Sequence, residues 1–128
     1  MKNIQISDAE WLVMKIVWSS PMVSAEDIYA SLENETGWNI KTLKTLLSRL
    51  VKKNVLDFKV EGKKYLYFSL ASKEDCVQKE TKSFLEKIFD GGRSSLLLHF
   101  VENEDLTLEE IKILEKQLLE KKKLLSKH

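Results

Sequence analysis

The chain lacks the residues on which several classes of protein depend. It has a single cysteine, Cys76, among 128 residues, so an internal disulfide is excluded and there is no thiolate cluster to bind a metal. No apolar run approaches the length of a bilayer span, and the N-terminus MKNIQISDAE has no signal-peptide core. We therefore expect a cytoplasmic protein without membrane insertion.

The motifs of common enzyme classes are also missing. The sequence contains no glycine-rich phosphate loop, nucleophile elbow, His-Glu-x-x-His pair or Cys-x-x-Cys pair. Its two histidines are His99, inside an apolar run, and His128, the last residue, and neither has a catalytic or metal partner close in sequence. We expect no catalytic residues, no metal site, no cofactor and no enzymatic activity.

Positive charge is concentrated in one part of the chain, although the formal net charge is only +1. Residues 1–38 carry two basic and six acidic side chains, and residues 65–128 carry eleven basic and twelve acidic ones. Residues 39–64 carry eight basic and two acidic side chains, a net charge of +6. Because phosphate contacts supply most sequence-independent affinity for DNA, this segment indicates a nucleic-acid partner. The alternative is a solvated lysine face.

Three helices are predicted in the first 53 residues from their capping signals. Ser7 with Glu10, and Ser24 with Asp27, both fit the pattern of a hydroxyl residue followed three positions later by an acid. Asn39 is the expected cap of the third helix. A short glycine-containing turn separates the last two helices, as in the helix-turn-helix arrangement.

The third predicted helix, NIKTLKTLLSRLVKK, has two different faces. Its apolar residues recur at spacings of three and four, which predicts one face packed against a core. The other face offers cations and hydroxyl groups. Its residues, together with Lys63 and Lys64 of the segment that follows, are the candidate DNA-binding residues: Lys41, Thr42, Lys44, Thr45, Ser48, Arg49, Lys52, Lys63 and Lys64.

A strand pair follows this helix. The runs VLDFKV and KYLYFSL alternate in polarity and are joined by Glu61-Gly62-Lys63, which predicts a β-hairpin with basic side chains at its tip. The side chains predicted to face inward are Leu56, Phe58, Val60, Leu66, Phe68 and Leu70. The fold class is therefore mainly α with a small β-hairpin, and we assign residues 1–71 to a winged helix-turn-helix domain.

Residues 72–128 are helical throughout in their pattern, and Thr107 with Glu110 opens a last helix with an apolar stripe. A monomer of this size would leave much of the stripe in water, so we expect a helical dimerisation domain. The alternative is a last helix folded back on its own winged domain. The candidate dimerisation residues are Phe84, Ile88, Leu97, Phe100, Ile111, Leu114, Leu118 and Leu125.

The chain resembles the BlaI/MecI penicillinase-repressor family, whose copper-responsive branch includes the CopY repressors. The resemblance spans nearly the whole length. Its motifs are QISDAEWLVMKIVW, KTLKTLLSRLVKK, EGKKYLYFS, SFLEKIFDGG and SLLLHFVENEDLTLEEI. The resemblance implies a homodimeric transcriptional repressor that binds a palindromic operator DNA upstream of resistance-type genes.

The resemblance also implies how repression ends. In the β-lactam branch a membrane sensor protease triggers cleavage of an Asn-Phe bond in the dimerisation region, and the equivalent bond here is His99-Phe100, with histidine in place of asparagine. The copper branch instead has a cysteine-rich tail. No cysteine follows Cys76 in this chain, so the β-lactamase-repressor branch fits better.

Two other functions remain open at this point. A winged domain with a helical stripe would also suit a protein-interaction scaffold that does not read DNA, and the +6 segment argues against it. A small hydrolase or metalloenzyme would need an assembled site that the sequence does not offer. Cys76 itself is either a low-pKa thiol near a helix start, suited to redox sensing, or a packed small residue.

Overall fold

Helices dominate the architecture of the computed structural model, which describes residues 5–127. His128 lies outside the described residues. The elements are α1 (Asp8–Trp18), β1 (Val23–Ser24), α2 (Ala25–Thr36), α3 (Ile40–Lys52), β2 (Leu56–Glu61), β3 (Lys64–Ser69), α4 (Lys73–Phe89), α5 (Arg93–Asn103) and α6 (Leu108–Ser126). The chain divides into two compact units, Met1–Thr81 and Lys82–His128. Across the described part of the chain, no helix is long and apolar enough to cross a membrane.

The first three helices begin at the residues predicted to cap them. The side chains of Ser7, Ser24 and Asn39 each accept a hydrogen bond from the backbone N–H three residues later, at 3.2, 3.2 and 2.8 Å. Glu10 completes the capping box of α1 by accepting the backbone N–H of Ser7 at 2.9 Å. Gly37 ends α2 with a φ of 71°, a conformation that favours glycine. Local polar groups thus set these helix boundaries.

The core of the first unit lies where α1, α2 and α3 meet the sheet. The four leucines of α3 are at most 5% exposed, and the apolar positions of α1 and α2 pack against them. The buried set is Val13, Met14, Val17, Val23, Ala25, Ile28, Leu32, Leu43, Leu46, Leu47, Leu50, Val55, Leu56 and Tyr67. Burial of this set holds α3 with one face inward and the other outward.

The predicted β-hairpin is confirmed, and it is part of a three-stranded antiparallel sheet with the order β1-β3-β2. Strand β1 contributes only two residues, with Val23 opposite Tyr67 and Ser24 opposite Leu66. Two residues are too few to show the alternation that identifies a strand in a sequence. The sheet also connects the start of α2 to the hairpin.

The face predicted for β3 is wrong. Phe58 pairs with Tyr67, and residues directly opposite in an antiparallel pair share a face. Tyr67 therefore joins the core and is 8% exposed, while Leu70, expected to point inward, is 53% exposed. Leu66 and Phe68 are partly buried on the other face. The alternation was misleading because β3 has apolar or aromatic side chains on both of its faces.

Burial also decreases toward the tip of the hairpin. Val60, predicted to be inside, is 61% exposed, and its cross-strand neighbour Tyr65 is 47% exposed. The ring of Tyr65 instead stacks on Phe58, with centroids 4.5 Å apart and planes 7° from parallel. Beyond the edge of the core, the hairpin is held by this aromatic pair and by its backbone ladder.

The second unit contains the end of α4, then α5 and α6. Gly91, with a φ of 79°, follows α4, and Gly92 is the N-cap of α5 without any side-chain hydrogen bond. Helix α6 begins at the predicted capping box, in which Thr107 and Glu110 each accept the other's backbone N–H. The hydrogen bond from the Thr107 backbone lowers the pKa of Glu110.

Glu10 is a buried charge that the sequence pattern did not predict. Its side chain is 1% exposed and its Oε1 lies 2.5 Å from Nζ of Lys53, the C-cap of α3. The same ammonium donates to the backbone carbonyl of Gln5 at 2.7 Å. Burial alone would raise the pKa of Glu10, but hydrogen bonds from Lys53 and Ser7 outweigh it and lower the pKa. The pair ties the start of α1 to the end of α3.

Replacing Glu10 with glutamine should lower the free energy of unfolding at neutral pH by about 2 kcal/mol, because a charged hydrogen bond to Lys53 becomes a neutral one. The pKa of Glu10 is lower in the folded than in the unfolded protein. Its stabilisation is therefore complete above 4.5, the ordinary pKa of a glutamate, and is lost as the pH falls through the folded-state pKa. Urea unfolding at several pH values should show the two proteins converging in acid.

The matched control is Glu33→Gln, which removes an exposed carboxylate from α2. It should leave the unfolding free energy nearly unchanged. A gap between wild type and Glu10→Gln that stays constant from neutral to acidic pH would contradict the role assigned to this ion pair.

Candidate nucleic-acid interface

The polar side of α3 forms one continuous exposed surface. Leu43, Leu46, Leu47 and Leu50 are buried on the opposite side, so the residues between them point away from the core. We call this surface the α3 polar face. Its members, all exposed, are Lys41, Thr42, Lys44, Thr45, Ser48, Arg49 and Lys52.

The cations of the α3 polar face have no carboxylate partner among residues 5–127. The one ion pair in that part of the chain joins Lys53 to Glu10, at the end of the helix. The charges of Lys41, Lys44 and Arg49 are therefore not neutralised within the described chain and are available to an external anion.

Two threonines of this face have hydroxyl protons that are used within the helix. Thr42 Oγ1 donates to Oδ1 of Asn39 at 3.0 Å, and Thr45 Oγ1 donates to the carbonyl of Lys41 at 3.1 Å. Each hydroxyl oxygen keeps a lone pair and each side chain keeps a methyl group toward the surface. The pair can thus accept a hydrogen bond from a base amino group or contact an apolar base edge.

The hairpin supplies a second group of cations. Gly62, with a φ of 64°, allows the tight turn between β2 and β3, and Lys63 and Lys64 beside it are exposed. Both lysines lie at the tip, beyond the buried part of the sheet. The predicted wing is therefore present with its basic tip.

A cleft of about 410 Å³ brings these two groups of cations together. Lys44 of the α3 polar face and Lys63 of the hairpin line the same cavity. We call it the α3–wing cleft. It is lined by Ala25, Glu26, Lys44, Lys63, Tyr65 and Tyr67.

Sequence reasoning missed four of the six residues that line this cleft, namely Ala25, Glu26, Tyr65 and Tyr67. Tyr65 and Tyr67 were assigned to an outward face of β3, and the pairing of Phe58 with Tyr67 would have been needed to place them correctly. Glu26 carries no signal beyond its position in the first turn of α2. In the cleft it contributes one negative charge opposite two lysines.

Cys76 is a packed residue. Its side chain is 9% exposed, and burial raises the pKa of the thiol, with smaller and opposing effects of Lys79 and Asp75. A low-pKa thiolate suited to redox sensing is therefore the wrong interpretation. Among residues 5–127 no group of three or more histidine, cysteine or acidic side chains could hold a metal ion.

The candidate dimerisation residues all lie on the surface of the single chain. They are 39% to 67% exposed, whereas within residues 82–127 only Leu85 falls below a tenth. These exposed apolar positions are Phe84, Ile88, Leu97, Phe100, Ile111, Leu114, Leu118 and Leu125. The second unit therefore presents an exposed apolar surface.

The His99-Phe100 bond lies inside α5. Nδ1 of His99 is 3.2 Å from Nδ2 of Asn103, one turn further along the helix, and the His99 ring lies 6.1 Å from the ring of Phe89. Both residues at the bond are exposed.

The chain matches a known protein family along most of its length. The family model described as "Penicillinase repressor" matches residues 6–121. The chain belongs to the penicillinase repressor family. The family predicted from the sequence motifs is thereby confirmed.

Two curated relatives match this chain along nearly its whole length. The methicillin resistance regulatory protein MecI of Staphylococcus aureus (strain N315) is 41% identical over 121 residues, which cover 94% of this chain and 98% of MecI. The penicillinase repressor of Bacillus licheniformis is 37% identical over 124 residues, which cover 96% of each chain. Both relatives match along nearly their whole length.

One solved structure of the family contains DNA. The monomeric form of Bacillus licheniformis BlaI in complex with the blaP half-operator matches with a TM-score of 0.51 and 37% sequence identity. The match covers 59% of this chain and 93% of that one. The likeness confirms the predicted fold class, a mainly helical chain with a winged helix-turn-helix.

Proposed function

We propose that this protein binds operator DNA as a homodimer and represses resistance-type genes, such as those for a β-lactamase or a penicillin-binding protein. The observation that carries the proposal is the exposed α3 polar face, whose cations have no carboxylate partner among the described residues. The BlaI complex with the blaP half-operator, at 37% identity, supports DNA as the ligand. We place residues 1–71 in DNA binding, residues 72–128 in dimerisation, and the protein in the cytoplasm.

The α3 polar face has the chemistry needed to read a major groove. Thr42 and Thr45 can accept from base amino groups or contact thymine methyl groups, and Arg49 can bind the acceptor edge of guanine or a phosphate. Lys41, Lys44 and Lys52 on the helix, with the lysines of the wing tip, neutralise phosphates and supply affinity that does not depend on sequence.

Dimerisation would turn one reading helix into a specific repressor. Two copies of α3 related by a two-fold axis contact half-sites separated by whole turns of DNA, which is why the operator is expected to be palindromic. The exposed apolar side chains of α5 and α6 support a second copy of this chain as the partner that covers them. The half-sites then bind together, and affinity greatly exceeds that of one domain.

Loss of the dimer would therefore end repression without touching a DNA contact. We propose proteolysis near the His99-Phe100 bond as the route, with a membrane sensor protease as the partner that triggers it. The bond precedes the whole of α6, so a cut there would separate the last helix from the DNA-binding residues. Histidine in place of asparagine would require a protease that accepts an imidazole at this position.

Binding of purified protein to a labelled fragment of its own upstream region tests the function directly. We expect retardation of that fragment in the presence of unrelated competitor DNA, with dimer stoichiometry. Affinity should fall steeply as the salt concentration is raised, because neutralised phosphates release counterions. Absence of any binding at low salt would favour a protein-interaction scaffold.

Substitutions on the α3 polar face should weaken this binding while leaving the dimer intact. Thr45→Ala and Arg49→Ala should each cost about 1 kcal/mol or more, roughly a fivefold loss of affinity, since each removes a contact to a base edge or phosphate. Band-shift titration gives the affinity and sedimentation gives the oligomeric state.

Two controls match these substitutions closely. Thr81→Ala removes another exposed helical threonine whose hydroxyl donates to the carbonyl four residues earlier, and Arg93→Ala removes the other arginine of the chain. Neither should change operator affinity. If Thr45→Ala and Arg49→Ala also bind like wild type, the reading helix or its face has been assigned wrongly.

Charged substitutions in the apolar stripe of α6 should produce monomers. Leu114→Lys with Leu118→Lys places two ammonium groups where the dimer interface is expected, and burying them without partners is costly. Sedimentation should show the mass of one chain, and operator affinity should fall with it. The control Glu120→Lys makes the same change of two charges on the side of α6 away from the stripe and should leave the dimer intact. A double variant that sediments unchanged would place the interface elsewhere.

A further inference from the structure

The α3–wing cleft is lined by a mostly buried tyrosine, Tyr67, whose hydroxyl group has no hydrogen-bond partner among the described residues. Tyr67 is 8% exposed, and its hydroxyl makes no hydrogen bond to any other residue between 5 and 127. No fully buried side-chain nitrogen or oxygen in this part of the chain lacks a hydrogen bond, so the Tyr67 oxygen is still reached through the cleft. Its hydroxyl proton is therefore available to an acceptor that enters the cleft from outside.

The groups around this hydroxyl favour an anion. Lys44 and Lys63 approach the cleft from α3 and from the wing, and neither forms an ion pair with a described carboxylate. Ala25 and Glu26 are the first two residues of α2, where backbone N–H groups have no acceptor within the helix and the helix dipole is positive. The carboxylate of Glu26 offsets one of the two lysine charges, so the lining remains positive overall.

The geometry also limits which anion can be the ligand. The cleft opens between the helix that faces the major groove in the proposed function and the wing that flanks it. A hydroxyl donor, two ammonium groups and a helix start suit a group with several anionic oxygens, as phosphate has. DNA bound by α3 carries such groups along both sides of the groove.

We propose that the α3–wing cleft holds one backbone phosphate of bound DNA, with the Tyr67 hydroxyl donating to it and Lys44 and Lys63 neutralising it. The inference rests on the proposed function, since it needs DNA against α3. The phosphate links the wing to the reading helix through one ligand. It fixes the depth of α3 in the groove and carries no sequence information of its own.

The variant Tyr67→Phe tests the hydrogen bond while keeping the aromatic ring in the core. We expect about tenfold weaker binding of the upstream fragment and the same fold loss on unrelated DNA, because a phosphate contact is independent of sequence. The salt dependence of binding should not change, since no charge is removed. In contrast, Lys63→Gln should lower the slope of log affinity against log salt by about one for each protomer bound.

A second measurement locates the phosphate. A series of operator duplexes is made in which a single neutral methylphosphonate replaces a different phosphate each time. At one position per half-site, Tyr67→Phe and Lys63→Gln should both bind as tightly as wild type binds the same duplex. Tyr29→Phe makes the same substitution at an α2 tyrosine outside the cleft. This variant should bind every duplex with the affinity of wild type. Thermal unfolding should show that Tyr67→Phe and Tyr29→Phe fold like wild type.

The outcomes separate this inference from the function on which it rests. If wild type does not bind DNA, the proposed function fails and the cleft has no phosphate to hold. If wild type binds and Tyr67→Phe binds equally well, the phosphate site is wrong although the repressor function stands. If Tyr67→Phe does not fold, Lys63→Gln decides the matter: a penalty that no single methylphosphonate removes overturns the proposal.

Discussion

Burial of the apolar side of α3 is the constraint on which the rest of the first unit depends. Leu43, Leu46, Leu47 and Leu50 are each at most 5% exposed and contact α1, α2 and the sheet. A fully buried leucine contributes about 1.5–3 kcal/mol relative to an exposed one, so these four residues hold the helix in one rotation about its axis. That rotation directs seven polar side chains outward as one surface. A rotation of half a turn would bury lysines and expose leucines, and no local gain could offset it.

Local signals in the sequence predicted the helices well. Ser7, Ser24, Asn39 and Thr107 cap the helices at which they were placed, since a cap depends on residues three positions apart. The two faces of α3 were equally predictable, because helical periodicity alone separates its leucines from its lysines and threonines. The α3 polar face includes all of the predicted DNA-binding residues on that helix.

The features that could not be predicted depend on contacts between distant parts of the chain. Burial of Tyr67 follows from its register against Phe58 and from the short strand at Val23, and neither is visible in the local alternation of β3. Glu10 looked like a capping residue only, yet a lysine 43 positions later makes its burial possible. The α3–wing cleft brings together residues of α2, α3, the hairpin turn and β3. Its members therefore share no sequence pattern.

The ion pair between Glu10 and Lys53 also changes how the charge of the basic segment should be understood. Residues 39–64 contain eight cations, but the ammonium of Lys53 is held by Glu10 and by the Gln5 carbonyl, both outside that segment. The count of basic residues over 39–64 therefore includes one charge that is already neutralised inside the protein. Seven cations remain to displace condensed counterions from a duplex, and Lys53 stabilises the fold instead.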